Sequence, residues 1–377
     1  MTLVCLSPNG VDRYQTDAPP ETVLVATMKG VVRLTRSGRI WTVGETTLPD
    51  LHISSLMREP KRGAVFAGIH GTGLYRSHDG GRNWHLAMNG IAEAHVFSLA
   101  SVEKPTGVEL YAGTEPARLY RSSDHGDSWH ELTALRAVPG HETWDFPAPP
   151  FVAHVKNVAF DPRDPRIMYV CVEQGALLKS DDAGASFHEL HFQTKDYVLN
   201  KDAHRIVFNP RNPQEIYLDG GEGISKSRDG GQSWERLATP SMRVAYPDHL
   251  YCSPEEDNVV FVAGGGTWPN IWRETGDAKS TIVCSRDGGR NWAQLKGGLP
   301  EDLAGNIEAA TMVSWPGGFG FFAGTTDGDV FASFDKGASW ERIAAGLPPV
   351  TKCVHYRNLV MGREHAKKLA QAAAASR

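Results

Sequence analysis

Ser227-Arg228-Asp229-Gly230-Gly231-Gln232-Ser233-Trp234 is one of six copies of a short pattern, S-x-D-x-G-x-x-(W/F), and together the copies decide the fold. The others begin at Ser77, Ser122, Ser180, Ser285 and Ser333, and the six aspartates lie 45, 58, 47, 58 and 48 residues apart. A repeat period in this range belongs to propellers and solenoids. Physically, each copy reads as a braced corner. The short polar side chains bond backbone N–H groups at a tight turn, the glycine takes a left-handed conformation, and the aromatic ring opens the next strand.

Each interval holds about four short strands, enough for one blade. Residues 152–190 give the unit: Val155–Phe160, a turn at Asp161-Pro162, Ile167–Glu173, Leu177–Ser180, the repeat, then Phe187–Leu190. Runs of β-branched and aromatic residues bounded by Gly, Pro and Asp are strand signals. A seventh, decayed copy spans Thr22–Thr27, Val31–Leu34 and Ile40-Trp41. Its first strand is expected from Thr351–Tyr356, closing the ring from the other end of the chain, with Leu3–Leu6 as the alternative. The expected fold is all-β, a single seven-bladed propeller over residues 1–362, followed by an Ala-rich tail at 363–377.

The repeat resembles the Asp-box, or bacterial neuraminidase repeat, over about residues 20–356. That resemblance implies a propeller of the WD-, YVTN- or neuraminidase-like group, which includes sialidases, xyloglucan hydrolases, sortilin-type receptors and a photosystem II assembly factor. It also implies that the Asp-box aspartates brace turns away from the active face. Activities in the group differ, so the resemblance carries the fold and little else. The Arg-Ile-Pro segment that a sialidase needs is missing.

With 39 basic and 44 acidic residues the formal net charge is −5, and no basic run points to nucleic acid. No stretch is long and apolar enough for a membrane helix. Five scattered cysteines without a C-x-x-C, and a start lacking a signal-like apolar segment, give a cytoplasmic expectation. No Gly-rich phosphate loop is present, so no nucleotide cofactor is expected.

Function is expected on the face where the inner strands begin, here called the top. Long insertions at 133–153 and 264–281 gather there, carrying Trp144 and Trp268. The strand starts are rich in histidine: His52, His95, His154, His204, His249 and His355. Of these, His204 should lie one side-chain period deeper, level with Glu308, and His249 should point between blades. His52, His95, His154, His204 and His355 form a candidate ligand set for a transition metal such as Zn, Cu, Fe or Mn. Lys156, Arg205, Lys352 and Arg357 lie beside them, and a cationic mouth would draw a small anionic molecule. Glu308, Lys352 and Tyr356 are candidate catalytic groups, and Lys156, Arg205, Trp144 and Trp268 candidate ligand contacts. Two alternatives stand beside this enzyme reading. One is a scaffold propeller holding a protein partner through the top loops. The other is a glycosidase using Glu142, Asp145 or Glu308 as carboxylates.

Overall fold

The computed structural model describes residues 2–190, 193–194, 197–198, 202–237, 239, 241–352 and 354–375. Seven sheets follow one another around a channel, each four-stranded in sequence order from the inside outward apart from a fifth strand in the last. Blade 2 is typical: Ile53–Arg58, Val65–Ile69, Gly73–Ser77 and His85–Leu86, all antiparallel. The inner strands of blades 3 to 7 are His95–Lys104, His154–Asp161, Ala203–Phe208, Tyr246–Cys252 and Ile307–Trp315. Apolar side chains are buried between neighbouring blades. Phe261 and Tyr251 of blade 6, for instance, pack against Phe319, Phe321 and Trp340 of blade 7.

The six repeats form the expected corners. In each, the serine hydroxyl donates to the aspartate and accepts the glycine N–H, at 2.7–3.0 Å. That glycine has φ between +84° and +96° in all six, which a side chain would resist.

The first blade departs from the expected closure. Its innermost strand is Leu3–Leu6, running parallel to Thr22–Thr27, so the alternative start holds, and the described residues of 351–356 form no strand. Val4 and Leu6 supply apolar contacts to Val23, Val25 and Val32, which a strand in that place must make. After Leu6 the chain crosses the channel. Asn9 bonds Ser54 of blade 2 and Leu99 of blade 3, Arg205 of blade 5 bonds Pro8 and Asp12, and Met312 of blade 7 bonds Asp12. Arg13–Gln15 then adds a fifth strand to blade 7, parallel to its inner strand. Residues 7–12 therefore plug the ring at mid-depth and form the floor beneath the top face.

A helix, α1 (Pro269–Thr275), caps the sixth blade between its second and third strands. A second helix, α2 (Val354–Ala375), replaces the expected loose tail and packs on α1. Leu359 joins Trp272, Tyr246 and Ala278 in a buried cluster, and Arg363 donates to the Gly276 carbonyl at 3.0 Å.

Candidate functional site

Six of the seven inner strands carry a bulge at the same level. The pairing register skips one residue in each, leaving Ser54, Phe97, Lys156, His204, Asp248 and Glu308 as the extra residues. A bulge re-aims side chains and ends regular pairing, and here it does so around one circle. Two residues earlier on each strand stand His52, His95, His154, Asp202, Tyr246 and Asn306. The top of the channel is therefore built in two tiers. His204 and Glu308 share the deeper one, as expected, and His249 turns between blades, accepting the Ala310 N–H at 3.2 Å.

The ends of the second strands face the upper tier. His70 receives its backbone partner from His52, while Glu115 pairs with His95 and Glu173 with His154. Cross-strand neighbours lie on one face, so blades 2 to 4 present His/His, His/Glu and His/Glu pairs side by side. All of these except His52, together with Phe97, Lys352 and Arg357, line a cavity of about 290 Å³. Phe146, Pro149 and Pro150 from the 133–153 insertion close it over.

The polar wall is a connected network. His154 sits between two carboxylates, its Nε2 2.7 Å from Glu173 and its Nδ1 3.3 Å from Glu115. Burial would depress the His154 pKa, but the two carboxylates outweigh it and hold the ring above its ordinary value. The Phe97 ring lies 3.7 Å from His154, centroid to centroid. Glu115 also accepts from His95 Nδ1 at 2.9 Å. Its carboxyl lies below the usual range, because bonds from His154 and His95 overcome desolvation. An ionised Glu115 can only accept, so His95 carries a hydrogen on Nδ1, and its ring lines the cavity. His52 and His70 stack at 4.3 Å. Burial pushes both below their ordinary values, His70 to about 2.

In the deeper tier Lys156 donates to Glu173 at 2.9 Å, and Lys352 is paired with Asp248. Glu308 accepts the Lys352 backbone N–H at 2.7 Å. Burial pulls the Lys156 pKa down, whereas Asp248, Glu173 and Glu308 overcome burial and raise that of Lys352. This corrects the expected cationic mouth. The buried lysines are matched by carboxylates, so a small anion finds no uncompensated positive charge among them.

The other expected site residues scatter. Arg205 turns down to the plug, 2.7 Å from Asp12, because Asp12 and the Pro8 carbonyl are the partners in reach. Trp144 is part of the packing around Val172 and Leu135. Trp268 starts α1 half exposed, donating to the Ala245 carbonyl. Tyr356 lies on the first turn of α2 and does not line the cavity. Glu142 and Asp145 remain exposed on the roofing loop. The His355 side chain lies outside the described residues. Among the described residues the remaining four histidines do not share one metal sphere: His52 is bonded to the Thr351 carbonyl, His95 and His154 are held by carboxylates, and only His204 belongs to a cluster of metal-capable donors, with Glu173 and Asp202.

Sequence reading missed His70, Phe97, Glu115, Phe146 and Glu173. The glutamates had a usable signal, since both end a second strand directly opposite a histidine. The bulge placing Phe97 in the channel had none.

Comparisons with known proteins agree with the repeat. The BNR/Asp-box repeat family matches residues 75–86, and the Sortilin-Vps10 family (Sortilin, neurotensin receptor 3) matches residues 175–301. The chain is a BNR-type propeller. A xyloglucanase from Paenibacillus sp is 25% identical over 249 residues, 56% of this chain and 24% of the enzyme. One from Hypocrea jecorina is 26% identical over 221 residues, covering 50% of this chain and 26% of the enzyme. The matched segment thus spans about a quarter of each relative. Among solved structures, an ancestral GH74 enzyme superposes with a TM-score of 0.59 at 17% identity, covering 78% of this chain and 38% of that one. YCF48 bound to D1 peptide superposes with a TM-score of 0.51 at 16% identity, covering 88% and 93%.

Proposed function

We propose that this Asp-box propeller is a carbohydrate-active protein that takes a short saccharide, or the end of a longer one, into the roofed top cavity. The observation carrying this reading is the His95–Glu115 pair. The Glu115 carboxylate holds His95 by Nδ1, and both residues line the cavity. Phe97 and Phe146 supply flat apolar faces, and Glu173, Lys352 and Arg357 supply acceptors and donors for hydroxyl groups. Small-molecule sites combine these features, and about 290 Å³ is near the lower end of their usual size. A cavity closed by Phe146, Pro149 and Pro150 suits a chain end better than the middle of a polymer. In this reading His95 Nε2 takes a proton from the water whose oxygen bonds the anomeric carbon, Glu115 holds the resulting imidazolium, and the glycosidic bond breaks to an oxygen whose charge Arg357 steadies until solvent water protonates it.

The test is turnover of a panel of short gluco- and xylo-oligosaccharides, followed by product analysis. His95→Ala should cut the rate about 100-fold or more while leaving saccharide binding within a few-fold. Equal turnover by both proteins would remove His95 from the mechanism. The near-complete mutual coverage with a peptide-bound propeller favours a second reading, a scaffold gripping a peptide through α1, α2 and the roofing loop. Peptide capture without saccharide binding would select it.

A further inference from the structure

We propose that Glu173, Asp202 and His204 form a binding site for a divalent transition-metal ion at the edge of the cavity, which Glu173 also lines. A backbone carbonyl fixes one nitrogen of His204. Its Nδ1 lies 2.8 Å from the Pro247 carbonyl oxygen, which can only accept, so Nδ1 carries a hydrogen. Nε2 then faces Asp202 Oδ1 at 3.2 Å and Glu173 Oε1 at 3.4 Å. In a neutral ring, that nitrogen presents a lone pair to two carboxylate oxygens. Lys156 Nζ, 2.9 Å from Glu173 Oε1, and the Tyr246 hydroxyl offset part of that repulsion, and a cation among the three atoms would remove the rest.

The geometry fits an ion. Donors about 2.1 Å from a tetrahedral dication are separated by roughly 3.4 Å. All three donor atoms lie within 4.8 Å of one another. A metal-binding histidine commonly donates its second N–H to a backbone carbonyl, which fixes both tautomer and ring orientation. The Pro247 contact does this for His204. Ligating carboxylates are commonly braced as well, and Glu173 is held by His154 and Lys156. The Tyr246 hydroxyl, 3.2 Å from Nε2, stands at the edge of the cluster. His204 and Glu173 are buried, whereas Asp202 keeps 18% of its side chain exposed. One imidazole and two carboxylates suit Zn²⁺ or Mn²⁺ better than Ca²⁺, which prefers six or more oxygens.

The competing occupant is a proton, which would make His204 an imidazolium and leave no metal affinity. Full-length protein stripped with a chelator should therefore be titrated with Zn²⁺ and Mn²⁺ by calorimetry, and then analysed for metal after dialysis. The proposal expects one ion per chain, at least tenfold weaker binding in Asp202→Asn and His204→Ala, and visible d–d bands on Co²⁺ substitution that are absent from both variants. Asp202→Asn keeps the test valid if His204→Ala fails to fold, because Asp202 is partly exposed. Circular dichroism of each variant establishes the fold. No bound ion in folded wild-type protein overturns the site, as does unchanged affinity in Asp202→Asn. Saccharide turnover by the stripped protein reads the His95 mechanism separately.

Discussion

Arg205 Nη1 lies 2.7 Å from Asp12 Oδ2, joining the inner strand of blade 5 to the segment that crosses the channel. The contact links residues 193 apart in sequence and holds the plug under the site. Arg205 is almost fully buried, and its partners raise its pKa against the cost of burial. Removing one member of a buried pair leaves the other uncompensated. Arg205→Met should cost about 3 kcal/mol in denaturant unfolding, and Asp12→Asn somewhat less because Asp12 is partly solvated.

The Asp-box corners make a different prediction. Ser122 is buried, accepts the Gly126 N–H at 2.8 Å and donates to Asp124 at 2.7 Å. Ser122→Ala leaves a buried N–H without its acceptor and should cost about 1–3 kcal/mol. Saccharide and metal binding by the folded fraction should not change, since this corner is at the end of the blade away from the cavity. Altered ligand affinity in that variant would contradict the separation of brace and site.

Asp219 supplies a pH dependence. Its carboxyl is fully buried, has no hydrogen-bond partner among the described residues, and is raised by burial to about 6 despite Arg205. A raised acid contributes stability that is complete below its unfolded value near 4 and is lost as pH rises through about 6. Asp219→Asn should therefore match wild type near pH 4 and exceed it at pH 7.5, by up to about 3 kcal/mol. Melting curves at the two pH values check this. A larger loss at pH 7.5 would show that the charged carboxylate is needed.

Docking of α2 depends on Gly362. A Cβ at this position would lie 2.1 Å from the Trp272 carbonyl oxygen and 2.3 Å from Gly276 N. Gly362→Val should force the helix off α1, expose Trp272 and leave the propeller folded. Faster proteolytic removal of the C-terminus, with a red-shifted tryptophan emission, is the expected result.

The blades were legible because each is announced locally, by a corner motif and by strand-period patterning. The level of His204 and Glu308 was legible because side-chain period carries along a strand. The channel plug was not. A parallel inner strand at Leu3–Leu6 and a crossing by Ser7–Asp12 depend on contacts more than forty residues away, such as Asn9 to Ser54. The site was half legible for a similar reason. Histidines stood out at the strand starts, but their meaning depends on Glu115 and Glu173, which meet them only across the strand pair. Without those partners Lys156 and Lys352 read as a positive mouth. With them the same residues form a closed charge network.

The proposed working site is the roofed cavity, with Glu115-held His95 at its wall. Calorimetric titration of short oligosaccharides into wild type, Phe97→Ala and His95→Ala tests that most directly. One site per chain in the wild type, weakened at least tenfold by Phe97→Ala and nearly unchanged by His95→Ala, is the predicted result. Wild-type binding that Phe97→Ala leaves untouched, or no saccharide binding at all, would contradict it.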